Sequence, residues 1–266
     1  MSSSARKRTL FEHPRLYDLA FGFRDFVEQT DGLLALASRY GARAPSSALE
    51  LCCGPAHHLR ELAQRGLRAY GVDHNREMLA YARSLSRRDR VDVRLIRADM
   101  RTFSLPKRVD MAYCLFDSFC HNTTDADAIA TLRSTAAALR RGGVFIAELT
   151  HPADFFAGIR SRSLSRWTQR FPDVTIATRF AHTNVDPIAE TFEPSIEIDA
   201  RYRDGRRPVR IVDRLQYRIW MRSGLRLAAA ASGRFDIVGW HGDLTPDVPL
   251  SMRDEAWQMV VVMRRR

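Results

Sequence analysis

Lysine is almost absent from this sequence of 266 residues. Only Lys7 and Lys107 occur, so arginine supplies nearly all of the 42 basic side chains and most of the formal net charge of +11. Proteins that bind nucleic acid usually cluster such charge on one surface or interleave it with stacking aromatic side chains. Here the arginines occur in almost every segment, which favours scattered, solvated charge and makes a nucleic-acid partner the weaker interpretation.

The chain also lacks long apolar runs and cysteine pairs with metal-like spacing. No apolar region follows the basic residues 1–8, and no run is long enough to cross a bilayer. These two absences predict a cytoplasmic location without membrane contact. Cys52, Cys53, Cys114 and Cys120 form no CxxC pair and fall in or beside predicted core strands. We therefore expect reduced, buried cysteines and no metal site.

Apolar runs and helical segments alternate through the first 150 residues. The predicted helices cover 14–26, 31–40, 57–65, 76–86 and 125–139, and the predicted strands cover 47–52, 68–72, 93–96, 111–116 and 144–149. Alternation of this kind predicts an α/β fold with a doubly wound, mostly parallel sheet.

The pattern changes after His151. Strands are predicted over 174–181, 188–202 and 207–220, with Asp204-Gly205 as a hairpin turn. A helix over 222–231 and closing strands over 235–240 and 256–263 follow. We therefore expect an antiparallel β lid over 151–221, inserted after strand five, and completion of the core sheet over 222–266.

The most informative stretch of the chain is 48–56, followed at a suitable distance by Gly71-Val72-Asp73. An apolar run ends in Glu50, passes through a turn of small residues and opens into a helical segment, and a second apolar run ends in Asp73. In a βαβ unit this arrangement brings a nucleoside ligand to the carboxyl ends of two parallel strands. The second carboxylate can then accept hydrogen bonds from ribose hydroxyls, and small turn residues permit close backbone approach.

These residues resemble the first motifs of class I, Rossmann-like methyltransferases that depend on S-adenosylmethionine (SAM). The usual turn of that family reads acidic-x-Gly-x-Gly-x-Gly. Here Glu50 stands at the acidic position, and Cys52, Gly54 and Ala56 stand at the three glycine positions. A dinucleotide dehydrogenase needs intact glycines where the pyrophosphate meets the helix N-terminus, whereas SAM carries no phosphate. The replaced glycines therefore favour SAM, with S-adenosylhomocysteine as its product.

The resemblance extends over most of the chain. The combination of Asp99-Met100-Arg101, the exit of strand four at 114–122 and the antiparallel insertion is similar to bacterial sugar-amine N-methyltransferases and the wider glycine-N-methyltransferase-like group. It implies that Asp99 accepts a hydrogen bond from the adenine amino group and that Met100 lies against the ring. It also implies that Tyr17 belongs to a segment, residues 1–45, which closes over SAM on a core of residues 46–150.

Further cofactor contacts are expected from His74, Met78 and Phe116, although the helical spacing of Met78 is equally typical of a core residue. Acceptor contacts are expected from Asp117, Phe119, Glu148 and Trp167. Among these, Glu148 could hold a substrate ammonium, orient a neighbouring histidine or only cap its strand.

His121 is the main catalytic candidate, because it follows strand four at the edge where α/β sheets bind ligands. With an ordinary pKa near ~6.5, a histidine can take a proton from an amine or hydroxyl near neutrality. His151, after strand five, faces the same edge and is the rival base. Either histidine could instead only shape the pocket.

The sequence thus predicts a cytoplasmic, SAM-dependent methyltransferase acting on nitrogen or oxygen of a small-molecule acceptor, such as a natural-product or amino-sugar-like metabolite. An O-methyltransferase of a small phenol or alcohol and a nucleic-acid methyltransferase stay open as alternatives. A non-catalytic SAM-binding protein is a third alternative, because Cys52 and Ala56 replace glycines. The oligomeric state, a homodimer included, also stays open.

Overall fold

The computed structural model of the protein describes residues 9–156 and 164–266. Residues 1–8 of the predicted N-terminal segment and 157–163 of the predicted lid lie outside the described residues. The helices are α1 (Pro14–Phe21), α2 (Phe26–Tyr40), α3 (His57–Gln64), α4 (Arg76–Arg88), α5 (Asp125–Ala138) and α6 (Arg222–Ser232). The strands are β1 (Ser47–Leu51), β2 (Arg68–Asp73), β3 (Val93–Arg97), β4 (Val109–Cys114), β5 (Leu139–Thr150), β6 (Leu164–Arg170), β7 (Val174–Asp186), β8 (Thr191–Tyr202), β9 (Val209–Arg214), β10 (Tyr217–Arg218), β11 (Phe235–His241) and β12 (Gln258–Arg265). Short 3₁₀ turns cover Leu10–Glu12, Ser118–His121 and Pro152–Phe155.

The larger sheet has the strand order β11-β12-β5-β4-β1-β2-β3. Strands β1 to β5 are parallel to one another, and β12 and β11 complete the far edge in antiparallel orientation. Every residue of β1 and β4 is buried, as is typical of central strands covered by helices on both faces. This sheet is the doubly wound α/β core that the strand–helix alternation predicts.

The N-terminal helical region differs from the prediction, because the helix predicted over 14–26 is interrupted. α1 ends at Phe21, and α2 begins after Asp25, whose carboxylate accepts a hydrogen bond from the backbone N–H of Glu28. Such a cap satisfies an amide of the first turn that has no partner within the helix. The interruption leaves Arg24 in the loop between the two helices, where it lines the cavity described below.

The smaller sheet is antiparallel, with the order β10-β8-β7-β6 and with β9 paired to β8. It corresponds to the antiparallel lid predicted after strand five. Strand β6 is not predicted by the sequence, because Leu164–Arg170 is mostly polar and lacks apolar alternation. The strand predicted over 188–202 begins only at Thr191, because the Asp186 carboxylate accepts hydrogen bonds from the N–H groups of Ile188 and Ala189 and turns the chain.

Apolar side chains join the N-terminal residues to the smaller sheet. This N-terminal–lid cluster contains Leu10, Leu16, Ala20, Phe21, Val174, Ile176, Ile196, Ile198, Ala200 and Ile211. Two polar contacts reinforce it. The indole N–H of Trp167 donates to the carbonyl of Ala20 at 2.7 Å, and the N–H of Leu10 donates to the Asp213 carboxylate at 2.8 Å. The cluster therefore places α1 and the smaller sheet together above the carboxyl ends of the parallel strands.

All four cysteines are unpaired, and Cys53, Cys114 and Cys120 are buried, as the sequence predicts. Within residues 9–156 and 164–266, no helix has both the length and the apolar character needed to span a membrane.

Candidate functional site

A cavity of about 860 Å³ opens where β1, β2, β4 and β5 end. One wall consists of residues at or just after the ends of these strands, among them Cys52, Phe116 and Thr150. The opposite wall comes from α1 and the smaller sheet, for example from Tyr17 and Phe180. The carboxyl ends of parallel strands are the usual ligand-binding edge of an open α/β sheet.

The turn after β1 keeps a glycine-like backbone although two of its three expected glycines are replaced. Cys52, Gly54 and Ala56 all have left-handed backbone conformations, with φ of 53°, 48° and 59°. Such a conformation costs a residue with a side chain about 1–2 kcal/mol. A side-chain carbon added at Gly54 would meet no described atom within 4 Å, so the space above the turn is open.

The amides of this turn are already used by the protein. The N–H of Cys53 donates to the carbonyl of Val72 at 3.1 Å, and the N–H of Ala56 donates to the carbonyl of Cys53 at 2.8 Å. The N–H of Gly54 donates to the Asp73 carboxylate at 2.9 Å. These groups are therefore not available as a nest for a phosphate.

Asp73 ends β2 and lines the cavity. One carboxylate oxygen accepts from the N–H of Gly54, and the other accepts from the N–H of Asn75 at 2.8 Å. Burial raises the pKa of Asp73 above its ordinary value, although the two backbone donors oppose that effect. The carboxylate is thus fixed in orientation, and each oxygen keeps a lone pair for a ligand hydroxyl.

The predicted adenine side of the cavity contains His74, Met78, Asp99 and Met100. Met78 is only 1% exposed and Met100 only 8%, so both present apolar surface at the margin of the core. Asp99 accepts hydrogen bonds from the Arg101 guanidinium at 2.6 and 2.9 Å, and these bonds hold the pKa of Asp99 below its ordinary value. Asp99 is therefore a charged acceptor with a fixed orientation.

Two predicted cofactor contacts lie beneath the cavity and do not line it. Ala56 is fully buried at the start of α3. Glu50 lines a separate recess of about 40 Å³, where Nδ1 of His58 lies 3.4 Å from its carboxylate. Burial raises the pKa of Glu50 well above its ordinary value. Ala56 supports the turn, and Glu50 faces the cofactor side only through this recess.

His121 lines the cavity at the end of the 3₁₀ turn that follows β4. Its Nε2 lies 3.1 Å from the hydroxyl of Tyr217, and the two rings meet edge to face at 4.5 Å between centroids. Burial lowers the pKa of His121 to about 4. The imidazole is therefore neutral near pH 7 and is held in place by a strand of the lid.

His151, the rival base, is not among the described residues that line the cavity, which disfavours its predicted catalytic role. It is 3% exposed, and its Nδ1 accepts a hydrogen bond from the N–H of Ala153 at 3.1 Å. Its Nε2 lies 3.0 Å from the carbonyl of Ser251. Both ring nitrogens are thus engaged in holding the backbone after β5.

Glu148 lies near the end of β5 and lines the cavity. It is 1% exposed, and one oxygen accepts from the N–H of Phe116 at 3.3 Å while the other has no hydrogen-bond partner. Burial raises the pKa of Glu148 to about 7, although the charge of Arg24 opposes this effect. Glu148 therefore lines the cavity and has one oxygen that receives no hydrogen bond from the described protein.

Arg24 and Asp117 surround Glu148. The guanidinium carbon of Arg24 lies 3.9 Å from the ring centre of Phe116, and the same side chain donates to the carbonyl of Phe21 at 3.1 Å. The Asp117 carboxylate accepts hydrogen bonds from the N–H and, at 2.6 Å, from the hydroxyl of Thr150. The predicted residues Phe116 and Asp117 both line the cavity and have left-handed backbones.

Two predicted acceptor contacts lie outside the cavity. Phe119 is fully buried in the main core, against Phe145 and Trp220. Trp167 belongs to β6 and packs edge to face against Phe21, with its N–H on the carbonyl of Ala20. These predictions are corrected because both rings contribute to apolar packing, Phe119 in the main core and Trp167 between the lid strand β6 and α1.

Three residues that line the cavity were not predicted from the sequence, namely Arg24, Asp154 and His182. The position of Arg24 in the cavity depends on the interruption between α1 and α2. The sequence signal for that interruption is Asp25, which caps α2. Asp154 lies in the 3₁₀ turn after β5, and His182 lies on β7. Asp154 and His182 line the same cavity only because the lid folds back over the core. No local sequence pattern predicts that arrangement. Among the described residues, no group of three or more potential ligands could hold a metal ion.

Comparison with known proteins agrees with this geometry. Residues 48–143 match the model of a family described as a methyltransferase domain. A curated relative, the dTDP-3-amino-3,6-dideoxy-alpha-D-glucopyranose N,N-dimethyltransferase of Streptomyces fradiae, is 34% identical over 139 residues, or 52% of this chain and 52% of the relative. The chain spans about half the length of the curated relatives it matches.

Two solved structures share the fold over nearly the whole chain. The sugar N-methyltransferase KedS8 from Streptoalloteichus sp. has a TM-score of 0.78 at 19% identity, covering 100% of this chain and 98% of that one. SAM-bound CalS10, an amino pentose methyltransferase from Micromonospora echinaspora, has a TM-score of 0.71 at 21% identity, covering 94% and 97%. At these identities the likeness concerns the fold alone.

Proposed function

We propose that this protein transfers the methyl group of SAM to the nitrogen of a small-molecule amine, since residues 48–143 match the model of a family described as a methyltransferase domain. One observation carries the proposal. A neutral histidine, His121, and a buried carboxyl with a free oxygen, Glu148, share one cavity with the Gly54 turn and Asp73. The cavity thus combines a nucleoside-binding edge with groups that attract and deprotonate an amine.

The residues present fit SAM. The open space above Gly54 admits a ligand against the backbone, and Asp73 offers fixed lone pairs to ribose hydroxyls. Met78 and Met100 offer apolar surface to a base. The amides of the turn are used internally, so the turn suits a nucleoside without phosphate better than a dinucleotide.

When bound, SAM supplies an electrophilic methyl group on a positively charged sulfur. The protein must align the amine with that methyl group and exclude water. The carboxylates of Asp117 and Glu148 attract the ammonium form of the acceptor into the cavity. The ammonium must then lose a proton before its nitrogen can attack.

Glu148 is a better proton acceptor than His121. Its pKa is raised to about 7, whereas burial lowers the pKa of His121 to about 4. Transfer of the same proton to His121 would therefore cost about 4 kcal/mol more. Glu148 accordingly takes the proton at its free oxygen, and His121, held beside Tyr217, orients the neutral amine.

Calorimetric titration of the purified protein with SAM, S-adenosylhomocysteine and NADH tests the cofactor. Binding of the first two and not of NADH is expected. Mass spectrometry of small amines incubated with protein and SAM then tests the transfer. Binding of NADH alone would overturn the proposal, and SAM binding without methylation of any amine would favour a non-catalytic role. A cytoplasmic location and the segment bounds 1–45, 46–150, 151–221 and 222–266 remain predictions of the same proposal, and the oligomeric state, a homodimer included, stays open.

A further inference from the structure

One aromatic side chain at the mouth of the cavity stays exposed although it lines the site. Trp257 belongs to the cavity lining and is 40% exposed. The other phenylalanine and tyrosine rings among the described lining residues are buried or half-buried, and these are Phe11, Tyr17, Phe21, Phe116, Phe180 and Tyr217. A large apolar surface left open in a binding site is typical of a surface that a ligand covers.

The position of Trp257 is fixed by the loop 242–257, which connects β11 to β12. The N–H of Gln258 donates to the carbonyl of Gly242 at 2.9 Å and closes the base of this loop. The indole N–H of Trp257 donates to the Asp243 carboxylate at 2.8 Å and ties the two ends together a second time. Because the N–H already has a protein partner, the apolar face of the ring is the part of Trp257 that a ligand can use.

Trp257 lies on the acceptor side of the cavity. The next residue, Gln258, pairs with Thr150 across β12 and β5, and the hydroxyl of Thr150 donates to Asp117. The charge of Asp243 also helps to raise the pKa of Glu148, which places the partner of Trp257 near that carboxyl. On the cofactor side, by contrast, Asp73 ends β2, which is separated from β12 by three strands of the sheet.

We propose that Trp257 is a specificity-determining residue that stacks against the ring of a cyclic amine, so that the cavity selects a ring-bearing acceptor, such as a closed amino sugar, over an open-chain amine. This inference rests on the proposed function, because it narrows the acceptor class of the same cavity. A closed saturated ring presents a rigid face of C–H groups, and stacking removes apolar surface of both partners from water. An open chain must lose rotational freedom to cover the same indole face, so it gains less from the contact.

The test is a calorimetric titration of the protein saturated with S-adenosylhomocysteine. The two probes are the methyl glycoside of a 3-amino-3,6-dideoxyhexose, whose ring cannot open, and the open-chain amino alditol obtained by reducing the same amino sugar. Both probes carry the same amino group, so a difference in Kd reports on the ring. We expect the glycoside to bind on the order of ten-fold more tightly than the alditol.

Two substitutions of Trp257 identify the contact. Trp257→Ala should weaken the glycoside on the order of ten-fold and leave the alditol nearly unchanged, so that the two Kd values become similar. Trp257→Phe should keep most of the difference, because phenylalanine retains an aromatic face although it loses the N–H. In methyl-transfer assays Trp257→Ala should raise the KM for the glycoside at nearly unchanged kcat, since the stacking contact is the same before and during the transfer.

Met252→Ala is the matched control. Met252 belongs to the same loop and is 63% exposed, but it is not among the described residues that line the cavity. This variant should bind both probes as the unmodified protein does.

The outcomes separate this inference from the proposed function. Equal binding of the two probes by the unmodified protein, binding of neither probe, or an unchanged ratio of the two Kd values in Trp257→Ala would overturn the role of Trp257. A loss of the ring preference in Trp257→Phe as complete as in Trp257→Ala would overturn the stacking contact. Failure of S-adenosylhomocysteine to bind before any acceptor is added would instead overturn the proposed function.

Discussion

The buried carboxyl of Glu148 should make the stability of the protein depend on pH. Burial raises the pKa of Glu148 to about 7, against an ordinary value of 4.5. Below pH 4.5 the carboxyl is protonated in both the folded and the unfolded chain. Between these values the folded protein holds a proton that the unfolded chain has released, so stability falls as pH rises toward 7. The interval corresponds to about 3 kcal/mol of unfolding free energy.

Glu148→Gln removes this dependence, because glutamine stays neutral and keeps an oxygen for the N–H of Phe116. We expect the variant and the parent protein to differ in unfolding free energy by about 3 kcal/mol more at pH 7.5 than at pH 4.5, in favour of the variant. Urea unfolding curves across this range measure the difference. The same variant should lose most of its methyl transfer, since it can no longer accept a proton.

Glu77→Gln is the control, because Glu77 lies exposed on α4 and away from the cavity. Its unfolding curves should follow those of the parent protein at every pH. A Glu148→Gln variant whose stability difference stays constant between pH 4.5 and 7.5 would refute the reasoning, since the carboxyl would then ionise alike in both states.

Three further substitutions test the site. Asp73→Asn should raise the Kd for S-adenosylhomocysteine about ten- to a hundred-fold in calorimetry. The reason is that an amide side chain cannot accept hydrogen bonds from both Gly54 and Asn75. An unchanged Kd would show that Asp73 does not bind the cofactor. His121→Ala should lower kcat by about two orders of magnitude at unchanged cofactor affinity, because the amine loses the side chain that orients it. A full rate would show that His121 does not orient the amine. His151→Ala should lower the Tm, at a cost of about 1 kcal/mol for the lost backbone contacts, with kcat retained. Loss of kcat at an unchanged Tm would return His151 to the catalytic group.

The cofactor side of the site is predictable from sequence because its geometry is local. Gly54 and Asp73 lie 19 residues apart in one βαβ unit, and the connection of parallel strands brings them together in a fixed way. Glycine replacement at Cys52 and Ala56 does not disturb this, since the backbone keeps the left-handed conformation at both positions. The fold of the core follows from the same local alternation.

The acceptor side is less predictable because it depends on packing between distant segments. His151 and Asp154 both follow β5, His151 as the cap of the 3₁₀ turn and Asp154 within it. The geometry of this turn places Asp154 in the cavity lining, while His151 binds the backbone. Trp167 was expected in the pocket because β6 is too polar to be recognised as a strand. Once β6 forms, Trp167 faces Phe21 and not the ligand.

The attachment of α1 differs on its two sides. Toward the smaller sheet it is apolar, through the N-terminal–lid cluster. Toward the core it includes one carboxylate, Asp18, which accepts a hydrogen bond from the Tyr81 hydroxyl at 2.7 Å and pairs with His57. Breaking the contacts of Asp18 with Tyr81 and His57 costs less free energy than exposing the N-terminal–lid cluster to water, because water can replace the polar contacts. Because α1 contributes Tyr17 and Phe21 to both the cavity and the recess at Glu50, the element that borders both is held to the lid by apolar packing and to the core by polar contacts.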